Sequence, residues 1–591
     1  MNSIPSQILG EFSVSGDLGE WQIASSSKLL EPQLEIISIS LSAPQPLPPP
    51  KLSFKNSTPH TDMFCKWSSS SNFYRGLPPN WHSRTDSNIA CNIPLVHITN
   101  NVDKNRFLIA CSEALRDVNI HCGIKEEGSI LDTIINIFNV PEAPIQSYEF
   151  QLRIDTRDCF YADSLTETAA WFASFPEYEP TVPPPAAYDS IYSTWYTYHQ
   201  NLFDDELVAQ AKLAKEYGLN GIIIDDGWQT DDQNRGYAFC GDWQPSQNRF
   251  KKGMRDFADR LHAIDVKLLL WYSVCFVGAK SKQYETFKDK GLYFRGGGTQ
   301  AVVLDPRFPE VREYLINTYE RAMIDWDLDG FKLDFIDSFH FGDGYDPAVE
   351  QNYAGRDIKS LPKAVDLLLT EVIKRLKAIK PDVLIEFRQG YIGPAIRKYG
   401  NMFRVADCPG DINRNRIGIV DLRLLSGNTA IHSDMLEWNT CVDYKTAMLQ
   451  VLNIMYGVPQ ISVKLEELPE EHRKALKFWL NFREQHRTAL MNGKLVPRHA
   501  SLNYAHISAY TDDDEVVAVY HDGVIAKPES NAKSVSVINA TGVDSIVLSL
   551  ERAPVKAVVY DSLGGEQEIA APTVGFTQVA VPSSGLLVLS F

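Results

Sequence analysis

Carboxylates recur at one kind of place in this 591-residue chain, directly after a short apolar run. Asp225 and Asp226 follow Ile222-Ile223-Ile224, Asp334 closes Gly330-Phe331-Lys332-Leu333-Asp334, and Asp407 closes Phe403-Arg404-Val405-Ala406-Asp407. Trp195, Trp271, Arg388 and Asp434 stand at the same kind of boundary. Two carboxyl groups facing each other across one cleft could cleave a glycosidic bond: one attacks or activates water, and the other protonates the departing oxygen. Lys332 lies two residues before Asp334, and side chains two apart on a strand share a face. Lys332 is therefore expected to keep Asp334 ionised, as a nucleophile requires. Asp407 in the acid/base role requires a raised pKa in the free enzyme. A single aspartate at a strand end is more often a turn or a helix cap. Repetition at one topological position is what points to a site.

Such residues can converge only if their strands lie side by side and in parallel. The stretches 191–196, 221–225, 267–272, 330–335, 383–387, 402–406, 429–433 and 460–463 read as short apolar strands. Helical patterns lie between them, for instance at 205–217, 309–326 and 362–379. Eight βα units predict a (β/α)8 TIM barrel, whose active site sits at the C-terminal ends of the strands. A further strand-like run at 302–305 is assigned to the long connection after the third strand. Ahead of the barrel, β-prone stretches at 34–41, 95–99, 106–110, 130–138 and 148–154 predict an antiparallel sandwich. The proline-rich run 44–50 reads as a surface loop, and Pro183-Pro184-Pro185 as a linker. After residue 494 the helices stop and short strands resume. The expected architecture is an N-terminal β-sandwich domain at 1–180, a catalytic barrel at 186–490 and an antiparallel β domain at 494–591.

Composition excludes several classes. A net charge of −18 argues against nucleic acid as a partner, which requires a basic face. No apolar run is long enough to cross a bilayer, so no membrane partner is expected. The start of the chain lacks the basic and apolar regions of a secretory signal. Nine cysteines without a CxxC pair fit neither a zinc site nor a disulfide framework, and a reduced, cytoplasmic enzyme is the expectation. Cys275 and Cys408 read as small buried hydrophobes, and His199 and His432 as structural histidines. Asp225, Asp226 and Asp334 could suggest a divalent cation held by oxygen ligands, but no HxH or similar partner accompanies them. The segment 229–250, which holds Trp243, is long enough for a subsite wall or lid and equally suits a packed structural loop.

Asp225-Asp226-Gly227-Trp228, then Phe331-Lys332-Leu333-Asp334, then the pair Asp407 and Asp411 resemble the α-galactosidases of glycoside hydrolase family 36 in order and spacing. The resemblance covers roughly residues 188–440, and that family's three-part architecture matches the flanking β-rich regions. It implies Asp334 as nucleophile and Asp407, in Ala406-Asp407-Cys408-Pro409-Gly410-Asp411, as acid/base. It implies Asp225 and Asp226 as holders of sugar hydroxyls, among them the axial 4-hydroxyl of galactose. Lys332 would reach the sugar, Trp195 and Trp271 would be ring platforms or core, and Gly390, Arg404 and Asp411 complete the expected binding set. No cofactor and no metal are implied. The substrate would be an α-galactoside oligosaccharide, and a homo-oligomer is compatible with the family.

Two departures stand out. Where that family has Cys-x-Gly-Gly-Gly-Arg after its fifth strand, this chain reads Glu386-Phe387-Arg388-Gln389-Gly390-Tyr391, so Arg388 replaces the cysteine. An arginine just before Val302-Val303-Leu304-Asp305 is also missing, with Thr299-Gln300 in its place. Both put recognition of the sugar's 2- and 6-positions in question; Arg388 is expected in the substrate-binding set, where it would contact an acidic group or substitute for the missing arginine. The expected reaction is hydrolysis of terminal α-D-galactosides by double displacement with retention. Two rivals keep the site: galactosyl transfer of raffinose-synthase type and an α-N-acetylgalactosaminidase. A Schiff-base aldolase using Lys332 is a rival of another class, and a catalytically inactive sugar-binding protein is a third.

Overall fold

The computed structural model describes residues 2–69, 74–140, 142–342, 353–388, 390 and 393–591. Eight parallel strands form its centre: β1 (Ile191–Ser193), β2 (Gly221–Ile224), β3 (Lys267–Ser273), β4 (Gly330–Asp334), β5 (Leu384–Arg388), β6 (Met402–Arg404), β7 (Ala430–His432) and β8 (Gln460–Ile461). Their order is β7-β6-β5-β4-β3-β2-β1-β8. Single parallel bridges, His432 to Val458 and Leu436 to Ile461, close the ring between β7 and β8. All eight segments expected from the sequence are barrel strands: six are shorter by one to three residues, β3 runs one residue further and β5 is shifted by one. Ile222, Ile223 and Ile224 are fully buried, as strands covered on both faces require. The run expected to lie off the barrel does so: Ala301–Leu304 pairs antiparallel with Phe276–Gly278 and Gly291–Arg295.

Helices wrap the barrel. The one at Pro309–Trp326 has proline in its first turn and stops where Asp327 adopts a left-handed backbone. Helix Leu361–Ile379 buries Leu361, Val365, Leu368, Val372 and Leu376, an i, i+4, i+7 stripe facing the barrel.

Two six-stranded antiparallel sheets form the N-terminal sandwich, with Phe12, Ile37, Ile39, Phe54, Ile135 and Phe150 in its core. The proline-rich run corrects the loop expectation in part. Pro44 to Leu47 continue the strand Leu34–Leu47. Pairing with Gln22–Glu31 ends at Ser42, so the prolines lose no ladder hydrogen bond there, and their fixed φ suits extended backbone. A helix the sequence reading did not single out, Tyr161–Ala173, sends Tyr161, Leu165 and Phe172 into the core that surrounds the barrel. The C-terminal region carries a seven-stranded and a three-stranded sheet, and both correct the antiparallel expectation: Asp514–Val519 runs parallel to Ser534–Asn539, and Ile525–Ala526 parallel to Ile546–Leu550. Among the described residues no helix is long and apolar enough to cross a membrane.

Candidate active site

Asp334 ends β4 at the barrel mouth, 7% exposed. Its Oδ2 accepts from Trp271 Nε1 at 3.1 Å, and its Oδ1 accepts from the Phe335 amide and from Arg388 Nε, both at 2.8 Å. Phe335 has a left-handed backbone (φ 62°), unusual for an aromatic residue. That turn aims its amide back at the carboxylate just before it.

These contacts correct three expectations. The hydrogen bond of Lys332 goes elsewhere than Asp334: its Nζ donates to Asp225 Oδ2 at 2.5 Å. Lys332 and Asp334 share the strand face, but Asp225, just past β2 and two strands from β4, lies within reach of the lysine tip, and Arg388 is bonded to Asp334. Arg388 is accordingly a partner of the nucleophile candidate rather than an open sugar contact. Trp271 is 1% exposed and enclosed by Tyr237 (6.0 Å, stacked), Trp243 (6.2 Å) and Phe335 (6.4 Å). It is no open ring platform, since its indole N–H is committed to Asp334.

Asp225 and Asp226 lie just past β2, each 2% exposed. The Asp225 amide donates to Thr194 Oγ1 at 3.0 Å, and the Asp226 amide to Asp225 Oδ1 at 2.9 Å. Asp226 accepts from Gln200 Nε2 at 2.6 Å and from Gln229 Nε2 at 2.7 Å. Burial pushes its carboxyl up to about 7, against the opposing pull of those two amides. Gly227 holds a positive φ (116°), and a Cβ there would meet the Gln200 backbone at 2.6 Å. Trp228, fully buried, donates its indole N–H to the Trp271 carbonyl at 2.9 Å, which ties the segment after β2 to β3.

Asp407 lies just beyond β6, with its side chain 54% exposed and Arg404 Nη2 at 2.8 Å. Burial acts to raise its carboxyl, but Arg404, Lys332 and Arg388 outweigh it and hold the group below the ordinary carboxylate range. The carboxyl thus lies below the ordinary range, where an acid in the free enzyme was expected to lie above it. Arg404 itself is fully buried, which corrects its assignment to the sugar. It donates to Asp434 and to the Val405 carbonyl. Asp434 also accepts from Tyr196 Oη at 2.7 Å and the Cys408 amide at 2.6 Å. Asp411 caps helix Ile412–Leu425 through the Arg414 amide at 3.0 Å, so its expected sugar role gives way to a helix cap.

Trp195 opens the short helix Trp195–Tyr198 rather than ending a strand, and it is half-buried. His199 meets its ring edge-on at 4.8 Å, and the Arg235 guanidinium lies 6.0 Å from it. Gly390 has a positive φ (109°) and open space where a Cβ would be, and its carbonyl accepts from the Asn92 amide of the N-terminal sandwich at 3.3 Å. The segment 229–250 is packed, with Trp243 against Trp228 and Tyr272, while Tyr237 walls the site over Trp271. Cys275 Sγ donates to the Phe335 carbonyl at 3.1 Å, and buried His432 bonds the Ala187 carbonyl at 2.7 Å.

Several residues escaped the sequence reading. Glu386 is fully buried beside the Lys332 register position. Its Oε2 accepts from Gln460, while Oε1 lies 3.8 Å from Arg404 Nε, and among the described residues neither of those two atoms has a hydrogen-bond partner. It lies inside Ile385-Glu386-Phe387 rather than after an apolar run, so the boundary rule passes over it. Gln200, Gln229 and Tyr196 likewise become visible only through their carboxylate partners, although Gln229 directly follows Trp228.

The Melibiase family profile matches residues 188–493, and the chain belongs to that family. Among curated relatives, Alpha-galactosidase Mel36A of Lactobacillus acidophilus is 27% identical over 150 residues, 24% of this chain and 19% of that protein. The A type blood alpha-D-galactosamine galactosaminidase of Flavonifractor plautii is 27% identical over 181 residues, 28% of this chain and 16% of that protein. The matched stretches thus span no more than about a fifth of these relatives' length. Alpha-galactosidase AgaA of Geobacillus stearothermophilus, in a variant complexed with raffinose, superposes with a TM-score of 0.68 at 14% identity, covering 98% of this chain and 83% of that one. The alpha-galactosidase from Lactobacillus brevis gives 0.64 at 14% identity, covering 98% and 86%. These likenesses establish the fold: a TIM barrel flanked by an N-terminal β-sandwich and a C-terminal β region.

Proposed function

We infer that this chain is a retaining α-glycosidase that hydrolyses terminal α-D-galactosides. Asp334 attacks the anomeric carbon while Asp407 protonates the departing oxygen; water then displaces Asp334 as Asp407 takes its proton. The observation that carries the reading is the setting of Asp334: a carboxylate at the strand mouth, held by donors from β3, from β5 and from the amide that follows it. A nucleophile needs that fixed aim. Asp225 and Asp226, fixed by Lys332, Gln200 and Gln229, can accept hydroxyl hydrogens in set directions, which distinguishes epimers. Galactose as the sugar follows from the family and from the relatives' names. Raffinose and stachyose, bound by AgaA variants, are the oligosaccharide class to try first. An anionic substrate carboxylate would not be needed, and no cofactor enters the scheme. Lys332 is engaged with Asp225, which disfavours the Schiff-base reading. The nine cysteines all stand unpaired, which supports a reducing, cytoplasmic setting.

The galactosaminidase relative makes one second reading worth an arm of the test. Wild type and Asp334→Asn are assayed on aryl α-galactoside, α-N-acetylgalactosaminide and α-glucoside, with NMR of the first-formed sugar anomer. The expected result is α-galactoside cleavage giving the α-anomer first, and a loss of at least about 10³-fold in the variant. A β-anomer product, or near-wild-type turnover by Asp334→Asn, contradicts it. Preference for the galactosaminide would replace the sugar and keep the mechanism.

A further inference from the structure

The geometry points to Arg388 as a positioning residue for Asp334 that acts chiefly in the second half of the reaction, receiving the carboxylate as it leaves the sugar. The inference rests on the double-displacement reading above. Arg388 ends β5 one strand away from Asp334, and its Nε lies 2.8 Å from Asp334 Oδ1. Its guanidinium carbon stands 5.5 Å from the Phe335 ring centre, and the same residue's amide supplies the second donor to Oδ1. The left-handed turn at Phe335 thus serves both partners of the pair: it aims an amide at the carboxylate and lays a ring beside the cation. With the side chain only 19% exposed, water screens this pair weakly.

Oδ1 accepts from a charged donor and an amide, both at 2.8 Å, and Oδ2 accepts from the indole of Trp271 at 3.1 Å. In this scheme Oδ2 attacks, and Oδ1, bonded to Arg388, is the anchored oxygen. Bond formation from Oδ2 to the anomeric carbon turns the carboxylate into a neutral ester and weakens its attraction to Arg388. In the second step the oxygen of water bonds to that carbon and Asp407 takes the water's proton. The carbon–Oδ2 bond breaks, and its electron pair returns to a carboxylate already facing Arg388. The cation thus stabilises the leaving group of deglycosylation. Lys332, bound to Asp225, does not provide this contact.

Arg388→Ala, Arg388→Gln and Arg388→Lys are compared with wild type on an aryl α-galactoside across pH, with thermal melts confirming the fold. In the Ala and Gln variants kcat should fall about 100-fold. KM should fall with it as the glycosyl-enzyme accumulates. The acid limb of kcat/KM should move to higher pH, because removing a cation raises the pKa of the carboxylate it faced. The Lys variant should keep the acid limb near wild type while losing rate, and added guanidine should restore part of the Ala variant's kcat. A kcat within threefold of wild type, or a slow variant whose acid limb stays in place and which guanidine does not help, overturns the role. An inactive wild type would instead fail the functional reading itself, so the two failures are distinguishable.

Discussion

Asp226 shows what one functional side chain costs the molecule. Burial sets its carboxyl at about 7, whereas in the unfolded chain the proton leaves at about 4. Between those values the folded chain holds a proton that the unfolded chain has lost. Stability from this group therefore falls as pH rises from about 4 to about 7 and stays low above that. Asp226→Asn gives up one of the two accepted hydrogen bonds at every pH, but relative to wild type it should gain on the order of 1–3 kcal/mol between pH 5 and pH 8. Calorimetry at the two pH values checks this, and a difference independent of pH would contradict it. The same variant should lose galactoside turnover, because an amide cannot accept at both positions. At this scale the sequence revealed which residues gather at the mouth but not who pairs with whom. Lys332 and Asp334 share a face, yet the lysine reaches two strands over to Asp225 while Arg388, from the next strand on the other side, takes Asp334. Pairing across strands depends on side-chain reach, which spacing along one strand does not encode.

Elements aim the site. Gly330 opens β4, and a Cβ there would lie 2.1 Å from the Leu384 carbonyl oxygen of β5. Backbone cannot yield as a flexible side chain can, so Gly330→Ala must push β4 from β5, the two strands that carry Asp334 and Arg388. We expect destabilisation of about 2–4 kcal/mol and a fall in kcat of at least about tenfold, measured by denaturant unfolding and steady-state kinetics. An alanine variant of wild-type stability would show that the strands separate freely. The eight barrel strands were legible because each is an apolar run too short for a helix, set between helical patterns. Less legible were the elements whose meaning is positional. Trp195 begins a helical turn rather than closing a strand, and helix Tyr161–Ala173 precedes the proline cluster where only a change of texture had been read.

At the scale of the whole molecule, the three regions meet on a buried polar knot. Arg75 of the N-terminal region pairs with Asp421 of helix Ile412–Leu425, at 3.1 and 3.2 Å. Tyr504 of the C-terminal region donates to the same carboxylate and accepts from Trp67 Nε1 at 2.9 Å. All four side chains are buried, so removing one strands the others' charge or hydrogen bonds. Arg75→Ala should cost about 3–5 kcal/mol and split one thermal transition into two, whereas Tyr504→Phe should cost about 1–2 kcal/mol. A single unshifted transition in Arg75→Ala would mean the regions do not depend on this knot. Nothing in the sequence signalled it, because its members come from three regions, with Asp421 lying 346 residues beyond Arg75.

The most direct test of the central claim is to trap the reaction halfway. The chain is incubated with a fluorinated α-galactosyl substrate that forms the glycosyl-enzyme faster than it is hydrolysed, then digested and sequenced by mass spectrometry. The account predicts one galactosyl group per chain, carried by Asp334 and absent from Asp334→Asn. A label on any other residue, or steady turnover through which no label ever forms, would contradict it.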